Sequence, residues 1–286
     1  MKKSNNNNWT KPQVMGILNL TPDSFYDGDS YKDNKQALLQ VEKMLKEGAS
    51  SIDIGGYSSR PNAKHISEKE ELKRILPAIK SIIKTFPKIQ VSVDTFRSEV
   101  ARQTVLEGAT MINDISGGTM DKKMFTTIAA IKVPYVLMHM QGTPQTMQDN
   151  PNYTNVTDTV YQFFKNKTEE LYNLGVQDVI LDVGFGFGKT LVQNYELLQN
   201  LSKFKKLGFP LLVGVSRKSM LYKLLNSTPD KMLNATTIAH TIALQNGASI
   251  LRAHDVKEAV EVVEVSEMMR KIDKTVLLKE KKTRNN

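Results

Sequence analysis

Polar residues of this chain recur at one kind of place, just after a short apolar run. Taken in order they are Asn19, Asp53, Asp94, Asn113 with Asp114, His139, Asp182, Ser216-Arg217-Lys218, and Arg252 with His254. Asp94, Asn113, Asp182 and Lys218 combine acceptors and donors of fixed geometry. A carboxylate takes two N–H donors side by side, and an amide presents one donor and one acceptor, a set that suits a flat, nitrogen-rich heterocycle. Asn19, Arg252 and His254 add a neutral oxygen, a permanent cation and an imidazole. These match a diphosphate accompanied by a hard, oxygen-seeking metal ion such as magnesium. In Arg252-Ala253-His254 the two-residue period of a strand sets both side chains on one side.

Two further stretches read as loops. Thr21-Pro22-Asp23-Ser24-Phe25-Tyr26-Asp27-Gly28 and Gly55-Gly56-Tyr57-Ser58-Ser59-Arg60-Pro61-Asn62 are rich in turn formers, as loops that close over a site often are. Gly184-Phe185-Gly186-Phe187-Gly188-Lys189-Thr190 imitates a phosphate-cradling loop. That motif needs glycine six places before the lysine, where Val183 stands. The glycines are instead expected to let backbone pass close beneath a ring, with Phe185 or Phe187 packed nearby. His65, His139, His240 and His254 lack zinc-ligand spacing, and Ser216 and Ser219 lie in no hydrolase-type motif.

The elements that must carry these residues alternate along the chain. Runs rich in Val and Ile begin near Val14, Ser51, Gln90, Met111, Tyr135, Val179, Pro210 and Ser249, nearly continuous in apolar residues as buried parallel strands are. Helical periodicity fills the intervals. Ala37, Leu38, Val41, Met44 and Leu45 follow a cap expected at Asp33. Ser67 and Glu70 form a capping-box pattern ahead of Leu72, Ile75, Leu76, Ile79 and Ile82, with Pro77 expected to kink or end a first segment. Gly48-Ala49-Ser50, Gly108-Ala109-Thr110 and Gly247-Ala248-Ser249 each close a helix and lead into a strand, and Gly175 does so without the alanine. Eight such units predict an α/β fold, a TIM (β/α)8 barrel of one domain, with chemistry at the carboxyl ends of its strands. The barrel is expected over 11–273, between a polar tail at 1–10 and a basic tail at 274–286. An open doubly wound sheet would need a glycine-rich phosphate loop after its first strand, and none is there.

Composition excludes several classes. The 286 residues are 40% hydrophobic and 24% charged, enough for a sizeable core. With no cysteine there is neither a disulfide framework nor a thiolate-ligated metal. Apolar runs are strand-sized, well short of the ~20 residues of a bilayer-spanning helix, and the Asn-rich start lacks a signal-peptide core. A cytoplasmic protein without membrane attachment is expected. The net charge of +9 is concentrated toward the ends, and no nucleic-acid module accompanies it. Nucleic acid is therefore not the expected partner.

The blocks also match a family. Met15-Gly-Ile-Leu-Asn19-Leu-Thr-Pro-Asp23-Ser-Phe25, Asp53-Ile-Gly-Gly56 with Ser59-Arg60-Pro61, Val93-Asp94-Thr95, and Asn113-Asp114-Ile-Ser-Gly117 come first. Met138-His139-Met140-Gln-Gly142-Thr-Pro144, Leu181-Asp182 with Gly184 to Lys189, Ser216-Arg217-Lys218-Ser219 and Arg252-Ala-His254-Asp255 follow. In that order, from about Val14 to Asp255, they resemble the dihydropteroate synthases. The second loop departs from the pattern, since Tyr57, Ser59 and Asn62 stand where Glu, Thr and Gly are usual. Val183 replaces a proline.

The resemblance implies a (β/α)8 barrel, a homodimer and a transferase of folate biosynthesis. The reaction joins 4-aminobenzoate to 6-hydroxymethyl-7,8-dihydropterin diphosphate and releases diphosphate, with Mg2+ as cofactor. By position, Asp94, Asn113, Asp182 and Lys218 would hold the pterin. Asn19, Arg252 and His254 would hold the diphosphate, with Asn19 and Asp27 at the metal. Phe25, Arg60, Pro61 and Ser219 would surround 4-aminobenzoate, and Asp27, Lys218, Arg252 and His254 would act in catalysis. Sulfonamides, mimics of 4-aminobenzoate, are expected inhibitors. One alternative is a pterin-binding methyltransferase working between a methylated folate and a corrinoid, a branch not expected to carry the Ser-Arg-Lys-Ser and Arg-x-His blocks. Another is a basic RNA-binding protein.

Overall fold

The computed structural model describes residues 11–21, 30–58 and 65–284. Eight parallel strands close into a barrel in chain order. They are β1 (Gln13–Asn19), β2 (Ser51–Gly55), β3 (Gln90–Asp94), β4 (Met111–Asp114), β5 (Tyr135–Met138), β6 (Val179–Asp182), β7 (Leu211–Val213) and β8 (Ile250–Ala253). Between them run α1 (Ser30–Lys46), α2 (Glu68–Thr85), α3 (Ser98–Leu106), α4 (Met124–Ile131), α5 (Val156–Asn173), α6 (Leu191–Gln199), α7 (Ser219–Leu224) and α8 (Leu233–Gln245). The last helix is α9 (Val256–Arg284). Each strand begins within one residue of the sequence expectation. Closure is made by β1 against β8, with Met15 beside Arg252.

Helix boundaries differ in three places. α1 starts at Ser30, ahead of the Asp33 cap. α2 is capped as expected, the Ser67 hydroxyl accepting from the Glu70 N–H, but it runs unbroken through Pro77 to Thr85. The chain from 274 onward, expected as a separate tail, continues α9 to Arg284. The repeated glycines behave as read, because Gly48, Gly108, Gly175 and Gly247 all adopt left-handed φ between 84° and 101°. A Cβ costs energy in that conformation, so glycine closes each helix and turns the chain into the next strand.

Strand alternation sorts the barrel wall into two faces. Val14, Leu18, Ile52, Ile54, Val91, Val93, Ile112, Leu137, Leu181, Val213 and Leu251 pack outward, in one cluster with the helices. Met15, Met111, Val136, Ile180, Leu212 and Ile250 form a separate inner cluster that plugs the barrel. Two residues further along, the same inward face carries Asp53, Asp94, Asn113, Asp182 and Arg252. One step of strand periodicity, about 7 Å, thus takes the interior from an apolar plug to a charged floor.

Candidate active site

Arg252 reaches across the floor from β8. Its Nε donates to Asp53 Oδ2 at 2.6 Å and its Nη2 to Asp94 Oδ2 at 3.1 Å. The Asn113 amide donates to the same Asp53 oxygen at 2.8 Å. Residues from β2, β3, β4 and β8 therefore form one hydrogen-bonded network. Asp53 is fully buried, and its Oδ1 has no hydrogen-bond partner among the described residues, nor does Ser92 Oγ beside it in the β2–β3 register. Burial pushes the Asp94 carboxyl up to about 7, against the pull of the Arg252 guanidinium and with help from the Asp53 charge.

The opposite wall carries Asp182 and Lys218. Asp182 Oδ1 accepts from the Gly184 N–H at 2.8 Å, leaving Oδ2 for another donor. Burial raises its pKa while the Lys218 charge lowers it. Lys218 donates to the Phe185 carbonyl at 2.5 Å, and its Nζ lies 4.6 Å from the centre of the Phe187 ring. Burial brings Lys218 down to about 8, with Asp182 opposing the shift. Two glycines show how these walls meet. A Cβ built on Gly214 would lie 3.9 Å from both the Arg252 side chain and Lys218 Nζ. A Cβ on Gly55 would lie 3.6 Å from Asn19 Oδ1 and 3.8 Å from Asp94 Oδ2. Asp94, Asn113, Asp182, Lys218 and Arg252 converge on a common space, and Asn19 stands at its edge.

His254 lies farther out and is exposed, its Nδ1 at 3.0 Å from Ser216 Oγ. The segment between them is held by Arg217, which binds Asp255 through two hydrogen bonds of 2.8 and 2.7 Å. Arg217 has φ of +55°, a conformation costly for a side chain with a Cβ. The cost is borne just where the chain presents Lys218 and Ser219, the latter half-buried as the first residue of α7. Phe25, Asp27, Arg60 and Pro61, together with Ser59 and Asn62, lie outside the described residues. The stem of their second loop is described. Tyr57 is buried edge-on against Phe96 at 5.1 Å between ring centres, and its hydroxyl accepts from Gln145 at 2.7 Å. Asn19 is the one described member of the expected metal pair. Its amide oxygen is a hard donor of the kind that magnesium prefers.

The structure revises the sequence reading at several residues. Asp53 had no role and is the hub of the network. Its inward parity with Asp94 and Asn113 was the available signal. Asp114, one residue past Asn113, faces outward and accepts from Tyr135 Oη and the Gly118 N–H, so it organises the turn after β4. Phe185 sits in the outer core, whereas Phe187 is the ring against Lys218. One glycine beside them serves a close approach within the protein itself. A Cβ on Gly184 would come within 1.9 Å of the His139 carbonyl oxygen, so the loop is pressed against the tip of β5. Lys189 is buried among acceptors of that loop, and burial brings its amine down to about 7.

A second concavity of about 800 Å3 lies between α8 and α9, lined by Leu244, Val262, Val265 and Met269 among others. None of the converging strand-tip residues lines it, and the chemistry stays at the carboxyl ends of the strands.

Known proteins resemble this chain over most of its length. The family model described as pterin binding enzyme matches residues 15–254, from β1 to His254. The dihydropteroate synthase of Haemophilus influenzae is 44% identical over 256 residues, covering 89% of this chain and 92% of its own. A crystal structure of the Yersinia pestis dihydropteroate synthase with a sulfonamide drug complex superposes with a TM-score of 0.87 at 42% identity, covering 93% of this chain and 96% of that one. The Xanthomonas albilineans dihydropteroate synthase in complex with 7,8-dihydropteroate gives 0.82 at 34% identity, covering 92% and 95%. Identity of 42–44% over about nine-tenths of the chain places it among the dihydropteroate synthases of the pterin-binding enzyme family.

Proposed function

We propose that this chain condenses 4-aminobenzoate with 6-hydroxymethyl-7,8-dihydropterin diphosphate, giving 7,8-dihydropteroate and diphosphate. The single observation that carries the reading is the convergence of Asp94, Asn113, Asp182, Lys218 and Arg252 on one floor. The pterin ring lies on that floor. Asp182 Oδ2 and the Asp94 carboxylate accept ring N–H groups, while Asn113 and Lys218 address its acceptors. The ring orients the substrate's methylene toward the mouth. There the aniline nitrogen attacks, the C–O bond to diphosphate breaks, and the nitrogen loses its proton. An aniline is neutral near pH 7, so its attack needs no strong base.

Charge builds on the departing diphosphate, and preorganised groups stabilise it. The Arg252 guanidinium is a fixed cation there, and the His254 imidazole, set against Ser216, adds a hydrogen-bonding group. Asn19 and Asp27 would hold magnesium, which when bound neutralises part of the same charge. Phe25, Arg60, Pro61 and Ser219 form the 4-aminobenzoate site, with the Ser219 hydroxyl toward its carboxylate. Sulfonamides compete there, a reading supported by the drug complex of the Yersinia pestis relative.

The assembly proposed is a homodimer. Leu224, Leu225, Leu233, Ile238 and Ile242, all at least 38% exposed on α7 and α8 and the turn after α7, are apolar surface available to it, and sedimentation equilibrium tests it. No described helix is long and apolar enough to cross a membrane, and a cytoplasmic location is proposed. The decisive experiment is diphosphate release from the purified protein. Release is expected only with both substrates and magnesium present. Release that ignores 4-aminobenzoate would overturn the reading.

A further inference from the structure

One buried amine of the barrel is engaged by none of the steps above. Lys189 follows the glycine loop after β6 and is 3% exposed. Its Nζ lies 2.9 Å from the Gly184 carbonyl oxygen, 2.9 Å from that of Phe187, 3.2 Å from that of His139 and 3.1 Å from His139 Nδ1. These four acceptors belong to two segments of chain, the tip of β5 and the loop between β6 and α6. The same loop touches the pterin floor twice, through the Gly184 N–H on Asp182 and the Phe185 carbonyl on Lys218. Its Phe187 ring lies against the Lys218 ammonium.

We infer that Lys189 is a positioning residue for the pterin site, a central strut whose amine clamps the Gly184–Phe187 loop to the β5 tip and so fixes the orientation of Asp182 and Lys218. Three bonds from the outside assist it. Tyr153 Oη donates to the Gly188 carbonyl at 2.8 Å, Gln148 Nε2 to the Gly186 carbonyl at 2.8 Å, and the Gly186 N–H to Asn194 Oδ1 at 2.7 Å. Left-handed φ at Gly184, Gly186 and Gly188 lets the loop fold around the amine. Without the amine, the buried carbonyls of His139 and Gly184, the half-buried one of Phe187 and an imidazole nitrogen lose a shared donor, and the loop has reason to lift. A side chain that only filled space would change stability and leave substrate affinity alone. A strut acting through Lys218 changes pterin affinity first.

The inference rests on the proposed reaction, so the wild-type enzyme is assayed first, and its failure to release diphosphate would sink that reaction rather than this residue's role. Given an active wild type, Lys189→Ala is expected to raise KM for the pterin diphosphate about tenfold or more. KM for 4-aminobenzoate, measured at saturating pterin diphosphate, stays within about twofold. Added propylammonium, which replaces the missing atoms of the side chain, restores part of the loss, and neutral propanol does not. In Lys189→Ala/Lys218→Ala the losses do not multiply, because the first acts through the second. An unchanged pterin KM, or fully multiplicative losses in the double variant, would overturn the inference. Should Lys189→Ala fail to fold, Tyr153→Phe pulls on the same loop from outside. About a twofold rise in pterin KM is expected there, and no rise would overturn the inference.

Discussion

The lower and upper layers of the barrel interior lie on the same strands, about 7 Å apart, and are built on opposite principles. The lower layer is Met15, Met111, Val136, Ile180, Leu212 and Ile250, apolar side chains at most 4% exposed that meet one another without direction. The upper layer is Asp53, Asp94, Asn113, Asp182 and Arg252, directional groups that satisfy one another only in part. Burial costs charged groups more than their pairing returns, so the floor is held in place by the plug beneath it and the helices around it. Stability and chemistry are thereby assigned to adjacent layers. Substitutions in the two layers should then fail differently.

The largest effect is expected at Arg252. Arg252→Met leaves the buried Asp53 and the half-buried Asp94 without their shared cation, at a cost of about 3–5 kcal/mol in folding stability. Pterin diphosphate binding should be lost together with that stability, as denaturant titration and calorimetry would register. Survival of tight binding would break the link between network and site. Ile180→Ala in the plug should cost about 2–5 kcal/mol by the cavity it opens, with both KM values nearly unchanged while the protein stays folded. A large KM change there would erase the division between layers. Asp182→Asn is the reverse case. It removes a buried charge, so stability should hold or rise, while a ring N–H left poorly paired costs about 1–3 kcal/mol in pterin affinity.

The last contrast is a pH dependence with opposite signs in stability and binding. Asp94 has a pKa of about 7 in the folded protein and its ordinary value of 3.8 when unfolded. Between those values the folded state holds a proton that the unfolded state has lost. Stability from this group is therefore greatest below about pH 4 and falls as pH rises toward 7. Pterin affinity should climb over the upper part of that window, because the ionised carboxylate is the better acceptor. Denaturation and binding measured across pH 4–8 would register both slopes, and Asp94→Asn should flatten each. Slopes of the same sign would contradict the assignment of Asp94 to both roles.

The strand order, the punctuating glycines and most of the floor are legible in the sequence because each has a local cause. Buried parallel strands must be apolar along their length, so their starts at Ser51, Gln90, Met111, Tyr135 and Val179 stand out. A left-handed φ must be glycine at little cost, so Gly48, Gly108 and Gly247 mark the ends of helices. Family resemblance adds which strand tips are expected to hold substrate. Local causes fail where two equally plausible neighbours differ only in direction. Asn113 and Asp114 are both polar tips, and the sheet register turns the first inward and the second toward Tyr135.

The order of apolar runs, the places of the turns and the types of side chain available at each strand tip were thus set by the sequence alone. Folding in three dimensions decided which of those side chains meet. Asp53 and Arg252 are 199 positions apart and share a hydrogen bond because β8 closes on β1. Lys189 finds His139 because the loop after β6 presses on the tip of β5. The physical reason is one of range. Backbone conformation and hydrophobic periodicity act over a few residues, whereas hydrogen bonds and burial act over a few ångströms, whatever the distance along the chain.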